Sequence, residues 1–158
     1  MANVLSIEDV VDLGIEKEKA RRDFYARVVE HFEDSEMKRL FSQLRDWEAV
    51  HVERFSKIKS SLGALPKAES YPGEMEAYVM SLVDDRFYSE VSPDRFVDTV
   101  RTPMDAINYG IMFEKDAILF FIEMAKYVQS DHKDVIMELM EEERTHVIYL
   151  IKLKNKFV

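Results

Sequence analysis

The chain has 158 residues, is 47% hydrophobic and 34% charged, and carries 31 acidic against 22 basic side chains, for a formal net charge of −9. Such a composition suits one folded domain with its own core, excludes a disordered chain, and sets the surface against phosphate backbones, so nucleic acid is not an expected partner. The absence of cysteine excludes disulfides, thiolate zinc sites, iron-sulfur centres and cysteine nucleophiles, and leaves oxygen and nitrogen to hold any metal.

The longest uninterrupted apolar run, Ala117 to Ile122, is far too short to cross a bilayer, and the start "MANVLSIEDV" lacks the basic region and apolar stretch of a signal peptide. A cytoplasmic protein without membrane contact is expected. With 4 Gly and 4 Pro, and with Leu, Glu, Lys, Met and Ala frequent, the sequence favours helix nearly throughout, and the expected class is all-α.

Ser6 followed by Asp9 reads as a helix start, and Val11, Gly14, Ile15, Glu18, Tyr25, Val29 and Phe32 then recur at helical intervals, predicting a first helix to about His31. "EDSE" interrupts the period, with Asp34 or Ser35 able to cap a second helix. Its inner face holds Met37, Leu40, Phe41, Leu44, Glu48, His51, Phe55, Ile58 and Leu62, and it ends near Gly63 with Pro66 behind. Residues 63–102 carry three of the four prolines and read as a connection with its own structure, a short helix in "EMEAYVMSLVDDRFY" and another opened by Ser92-Pro93.

Thr102-Pro103 makes a cap and first-turn proline for a third long helix with the face Ile107, Gly110, Ile111, Glu114, Ala117, Ile118, Phe121, Met124, Ala125 and Val128. Ser130 or Asp131 caps a fourth, which presents Ile136, Leu139, Glu143, His146, Leu150, Leu153 and Phe157 inward. The organisation predicted is thus a single domain: hairpin 6–62, crossover 63–102, hairpin 103–157.

The two hairpins repeat one another. "GIEKEKARRDFY" at 14–25 aligns with "GIMFEKDAILFF" at 110–121, and "LRDWEAVHVERF" at 44–55 with "LMEEERTHVIYL" at 139–150. Glu18 thereby pairs with Glu114, Glu48 with Glu143 and His51 with His146. Glu18 and Glu48 are 30 residues apart and Glu114 and Glu143 are 29, each pair centred near its predicted turn, so antiparallel packing brings each pair to one height. Each histidine sits three residues beyond a glutamate, on the same helix face. If the hairpins pack face to face, four carboxylates and two imidazoles converge.

Burying ionised carboxylates costs several kcal/mol each even after relaxation, of the order that demands a counter-charge. The inner faces above contain no lysine, and Arg22, one turn beyond Glu18, would balance part of the charge at most. Two divalent cations would balance four carboxylates, and hard oxygen donors mixed with imidazole suit iron or manganese.

In these six residues the chain resembles the ferritin-like di-iron carboxylate proteins, and most closely the rubrerythrin group. In that fold two helices each give one glutamate, here Glu18 and Glu114, and two each give a Glu-x-x-His pair, here Glu48 with His51 and Glu143 with His146. The resemblance implies a left-handed four-helix bundle with a long crossover between its second and third helices. It also implies two irons, with manganese or mixed occupancy as the variant, bridged by carboxylates and reacting with hydrogen peroxide or dioxygen.

The chain departs from that group in three places. It has no rubredoxin-type domain, so electrons would come from an external donor such as a rubredoxin-type protein. Ala117 stands where many members have a further carboxylate. Phe121 stands near Glu114, whereas the first copy has Tyr25, a candidate catalytic residue beside the metal, set against an ordinary hydrogen-bonded core tyrosine.

Other polar residues receive plainer readings. Glu16 is set aside because its counterpart is Met112, Trp47 is assigned to packing, and His31 and His132 to solvent. Glu141 and Glu142 are expected to be solvated, and the methionines to be core filler. The expected function is peroxide or dioxygen reduction, with ferritin-like iron storage or a non-catalytic metal-binding bundle as alternatives. A small homo-oligomer, a dimer, is expected rather than a cage.

Overall fold

The computed structural model describes residues 7–62, 77–78, 81–82, 86–126 and 130–158. They form α1 (Ile7–His31), α2 (Ser35–Leu62), two short helices α3 (Arg86–Glu90) and α4 (Phe96–Thr99), then α5 (Pro103–Met124) and α6 (Ser130–Lys154), with no strand among the described residues. Val128, the side chains of Ser130 and Asp131, the Gly63 helix end and Pro66 lie outside the described residues. So does most of the helix expected over 74–88; the described parts of it, 77–78, 81–82 and 86–88, are helical.

The helix starts follow from local chemistry. At α2 the carboxylate of Asp34 accepts from the backbone N–H of Glu36 at 3.0 Å and of Met37 at 2.9 Å, so Asp34 is the cap. At α5 the Thr102 hydroxyl accepts from Asp105 N–H at 3.2 Å while Asp105 accepts from Thr102 N–H at 2.9 Å, with Pro103 supplying a first-turn residue that needs no N–H partner. A cap of this kind stabilises a helix by about 1 kcal/mol.

The helices pair as two hairpins, α1 with α2 and α5 with α6; α1 then lies against α5 and α2 against α6. Two apolar clusters fill the bundle. One is built from Val11, Ile15, Phe55, Ile58, Phe121 and Leu139 among others, the second from Phe24, Val28, Phe41, Leu44, Ile107 and Leu150 among others. On every long helix the residues of the two clusters are separated in sequence by the buried glutamates and histidines, so a polar layer divides the core at mid-height. The repeated glycines mark close approaches one turn before each single glutamate. A Cβ on Gly14 would lie 2.6 Å from the Phe120 ring, and one on Gly110 would lie 3.2 Å from the Leu150 side chain.

The described part of the crossover rests on α1 and α5. Tyr88 stacks on Phe113 with centroids 4.1 Å apart, Phe96 packs on Phe24 at 5.9 Å, Arg27 donates to the Val91 carbonyl at 3.1 Å, and Tyr109 donates to Glu90 at 2.7 Å. This cover buries a second strip of α1, which includes Lys17 and Arg21. Lys17 donates to the Leu82 carbonyl and pairs with Asp116 at 2.5 Å. No helix among the described residues is long and apolar enough to cross a membrane.

Candidate metal centre

All six residues of the repeated constellation are buried in the polar layer: Glu18, Glu48, His51, Glu114, Glu143 and His146 are each at most 4% exposed. They form two overlapping groups, Glu18, Glu48, His51 and Glu143 on one side and Glu48, Glu114, Glu143 and His146 on the other, with potential ligand atoms in each group within 4.8 Å of one another. Glu48 and Glu143 belong to both.

The shared carboxylates each turn one oxygen toward each half. Oε1 of Glu143 is 2.9 Å from Nδ1 of His51, and Oε2 is 2.9 Å from Nδ1 of His146. Glu48 is set farther back, with Oε2 3.7 Å from the His51 Nδ1 and Oε1 3.8 Å from that of His146. The unshared carboxylates complete the ring, Glu18 Oε2 lying 3.5 Å from His51 Nδ1 and Glu114 Oε2 3.6 Å from His146 Nδ1. Both imidazoles therefore direct Nδ1 into the layer, and their rings lie nearly parallel, 5.6 Å apart.

Burial and the mutual repulsion of neighbouring carboxylates set the electrostatics of this layer. Burial pushes the Glu114 carboxyl up to about 8, aided by the charge of Glu143. Burial likewise raises Glu18, against the pull of Arg21. Glu143 moves the other way: burial opposes its ionisation, but the close approach of the Glu114 carboxyl and the bonds from His146 and His51 hold it well below the usual carboxylate range. Burial also opposes both imidazolium ions. For His51 it is outweighed by the bond to Glu143 and the nearby carboxylates of Glu18 and Glu48, which raise its pKa; for His146, contacts with Glu114 and Glu143 push the value up to about 10.

Whether the donor set fits a cation is answered by the unpartnered atoms. Among the described residues, the buried side-chain oxygens without a hydrogen-bond partner are Glu18 Oε2, both oxygens of Glu48, and Glu114 Oε2. All belong to the two tetrads. Leaving one buried polar atom unpaired costs about 1–3 kcal/mol, more when it is charged, so such a cluster calls for a positive centre between its members. Carboxylate oxygens and imidazole nitrogens are the donors that iron and manganese accept.

The structure corrects several expectations about the surroundings. The inward cation of α1 is Arg21, not Arg22. Arg21 is 1% exposed, donates to Glu18, approaches Glu48 with Nε at 3.5 Å and reaches the Tyr88 hydroxyl at 3.1 Å, while Arg22 pairs with its exposed neighbour Asp23. Divalent ions are thus not the sole means of compensating the carboxylates. Glu142 is not merely solvated. It accepts from His51 Nε2 at 2.7 Å and is itself paired with Arg54 at 2.8 Å, which also reaches Glu138. Trp47 does more than pack, since its indole stacks on His146 at 4.8 Å with a 7° interplanar angle, and Tyr149 stacks behind it at 5.7 Å.

Tyr25 donates to Glu114 Oε1 at 2.5 Å, which places it against the glutamate of the other hairpin rather than against Glu18. Burial, then the Glu114 charge, raises its pKa, so the phenol keeps its proton. Glu16 and His31 are exposed, whereas His132, expected in solvent, is partly buried. Arg21 and Arg22 share one signal in the sequence, a position about one turn beyond Glu18. Tyr88 and Glu142 had none, because the first depends on where the crossover lies and the second on contact across the bundle with α2.

No family model and no curated protein matches this sequence. A solved structure does match over the whole of both chains, at 20% sequence identity and a TM-score of 0.71: a candidate ferritin-like diiron-carboxylate protein from Thermotoga maritima. The chain has the ferritin-like fold. Its four long helices pair as two hairpins, in keeping with that architecture.

Proposed function

We propose that this chain is a rubrerythrin-like di-iron carboxylate redox protein that reduces hydrogen peroxide or dioxygen with electrons from an external donor, such as a rubredoxin-type protein. Glu18, Glu48, His51, Glu114, Glu143 and His146 are the proposed ligands, Glu48 and Glu143 shared between two ions. Iron is the proposed metal, with manganese able to use the same donors. The observation that carries this reading is the set of unpartnered buried carboxylate oxygens, every one on a proposed ligand. The description of the Thermotoga maritima protein as a candidate diiron-carboxylate protein points the same way.

Bound iron would supply electrons and Lewis acidity. The chain's own residues do the rest. The two apolar clusters exclude water above and below the layer. Glu142 grips Nε2 of His51 and so fixes Nδ1 inward, as outer partners of metal-binding histidines do. Tyr25 holds its phenol proton against Glu114 Oε1 and so fixes the orientation of that carboxylate. A cleft of about 190 Å³ lined by Trp47, Glu142, Thr145, His146 and Tyr149 offers a small oxidant a way in.

Anaerobic loading with ferrous iron, followed by rapid mixing with peroxide or oxygenated buffer, tests the reading. Stoichiometric oxidation of two irons per chain by either oxidant is expected, and an iron-loaded protein inert to both would remove the redox role. Size measurement on the same sample separates the storage alternative. A small oligomer, a dimer, is expected, and a cage-sized particle would move the reading to storage.

A further inference from the structure

The six proposed ligands repeat between the hairpins, but the charges around them do not. Where the second hairpin has the methyl group of Ala117, the first has Arg21. Its guanidinium is buried, donates to Glu18 Oε1, lies 3.5 Å from Glu48 Oε2 through Nε, and is held from behind by the Tyr88 hydroxyl at 3.1 Å. Beside Glu114 the equivalent contact comes from a neutral donor, the Tyr25 phenol.

Resting on the dinuclear reading above, we propose that Arg21 makes the two half-sites unequal: a divalent ion enters first among Glu114, His146, Glu48 and Glu143, and the Glu18 and His51 half takes a second ion only at markedly higher concentration. Two physical reasons support this order. Glu18 and Glu114 each keep Oε2 unpartnered and have Oε1 taken, but an ion in the Glu18 half must compete with a charge-assisted bond from a guanidinium, and one in the Glu114 half only with a neutral phenol. The ion is also repelled by a fixed positive charge in a layer where Coulomb interactions are several times stronger than in water. Formal charge makes the same point. Four carboxylates and one guanidinium leave three net negative charges, which a first divalent ion reduces to one and a second turns into one positive.

The chain reports on its own loading. Trp47 is the single tryptophan, and it stacks on His146, so its emission follows the half-site expected to fill first. Metal-free protein is titrated anaerobically with manganous ion, with Trp47 fluorescence, calorimetric heat and the electron paramagnetic resonance spectrum recorded together. The emission change should finish with the first equivalent, and the spectrum at that point should be that of an isolated ion. The second equivalent should bind about 10- to 100-fold more weakly, the range expected when a neighbour of a ligand is altered. Arg21→Gln, which keeps a shorter polar side chain without the charge, should tighten the second equivalent and leave the first nearly unchanged. Two equivalents of indistinguishable affinity in the natural protein, or emission that follows the second ion, would overturn the proposal even if the variant failed to fold. No uptake of manganous or ferrous ion at all would sink the dinuclear reading itself, an outcome plainly different from uptake of two equal ions.

Discussion

Around His51 the outer contacts are ionic, and around His146 they are aromatic. Nε2 of His51 meets Glu142, which is clamped by Arg54, and the neighbouring Glu18 carries Arg21. The face of His146 is covered by Trp47, which also stacks with Tyr149, and the neighbouring Glu114 receives only a phenol proton. In the repeat, Glu142 is the counterpart of Trp47, Arg54 of Tyr149 and Ala117 of Arg21. The duplicated residues thus build the donor set, and the residues that differ between the copies give each half its own electrostatic setting. One half is held by charges that a metal must displace or tolerate, the other by neutral ring contacts beside a carboxylate whose only bonded partner is a phenol.

The largest effect should come from erasing what the halves share. Each oxygen of Glu143 serves one histidine, so Glu143→Ala should abolish metal retention in both halves, whereas Glu114→Ala should cost one ion. Elemental analysis after desalting decides it, and retention of two ions by the Glu143 variant would break the picture of a shared carboxylate.

Next in size is the buried cation. Arg21 and Glu18 are both 1% exposed, and removing one partner of a buried pair typically costs about 3–5 kcal/mol, so Arg21→Met should lower the urea-unfolding free energy of the metal-free protein by that order. Arg22→Met, at a surface pair, should stay within about 0.5 kcal/mol. Equal effects at the two arginines would show that the guanidinium does not hold the layer together.

A pH series sharpens the comparison from the Glu114 and His146 side. The carboxyl of Glu114 is raised to about 8 and the imidazole of His146 to about 10, each above its unfolded value of about 4.3 or 6.5. Groups that bind protons more tightly when folded stabilise the protein fully below their unfolded values and lose that contribution as pH rises through the folded ones. The melting temperature of the metal-free protein should therefore fall between about pH 6 and pH 10, while metal affinity rises over the same interval because ligands must shed protons to bind. A metal-free melting temperature that climbs across this interval would contradict the assignment.

The smallest effects belong to the outer contacts. Glu142→Gln should weaken the ion beside His51 about tenfold in calorimetry, and Trp47→Leu should cost about 1 kcal/mol of stability through the lost stack while leaving the ion beside His51 untouched. Interchanged outcomes would mean that the two histidines do not belong to separate halves.

Much of this was readable without coordinates, since period and duplication act locally. The recurrence of Glu18, Glu48, Glu114 and Glu143 among apolar positions, with a histidine three residues after two of them, specifies a helix face whatever that face meets. The caps at Asp34 and at Thr102 with Asp105 are likewise set by neighbours in the chain. Arg21 and Arg22 could not be told apart in this way, because positions three and four beyond Glu18 are both its neighbours on a helix. The stack of Trp47 on His146 and the bond of Glu142 to His51 were missed for a related reason, as these partners stand on another helix.

The sequence by itself determined four helices, their pairing into two matching hairpins, and the level at which acidic and imidazole side chains meet, because hydrogen bonding along a helix fixes which residues share a face. Only the tertiary structure decided which flank of that face is covered. The described part of the crossover lies across α1 and α5, brings Tyr88 onto Arg21, and turns what would be a solvated arginine into a buried charge beside the carboxylates. That choice depends on contacts between segments more than 60 residues apart, such as Arg21 with Tyr88, for which no local spacing rule exists.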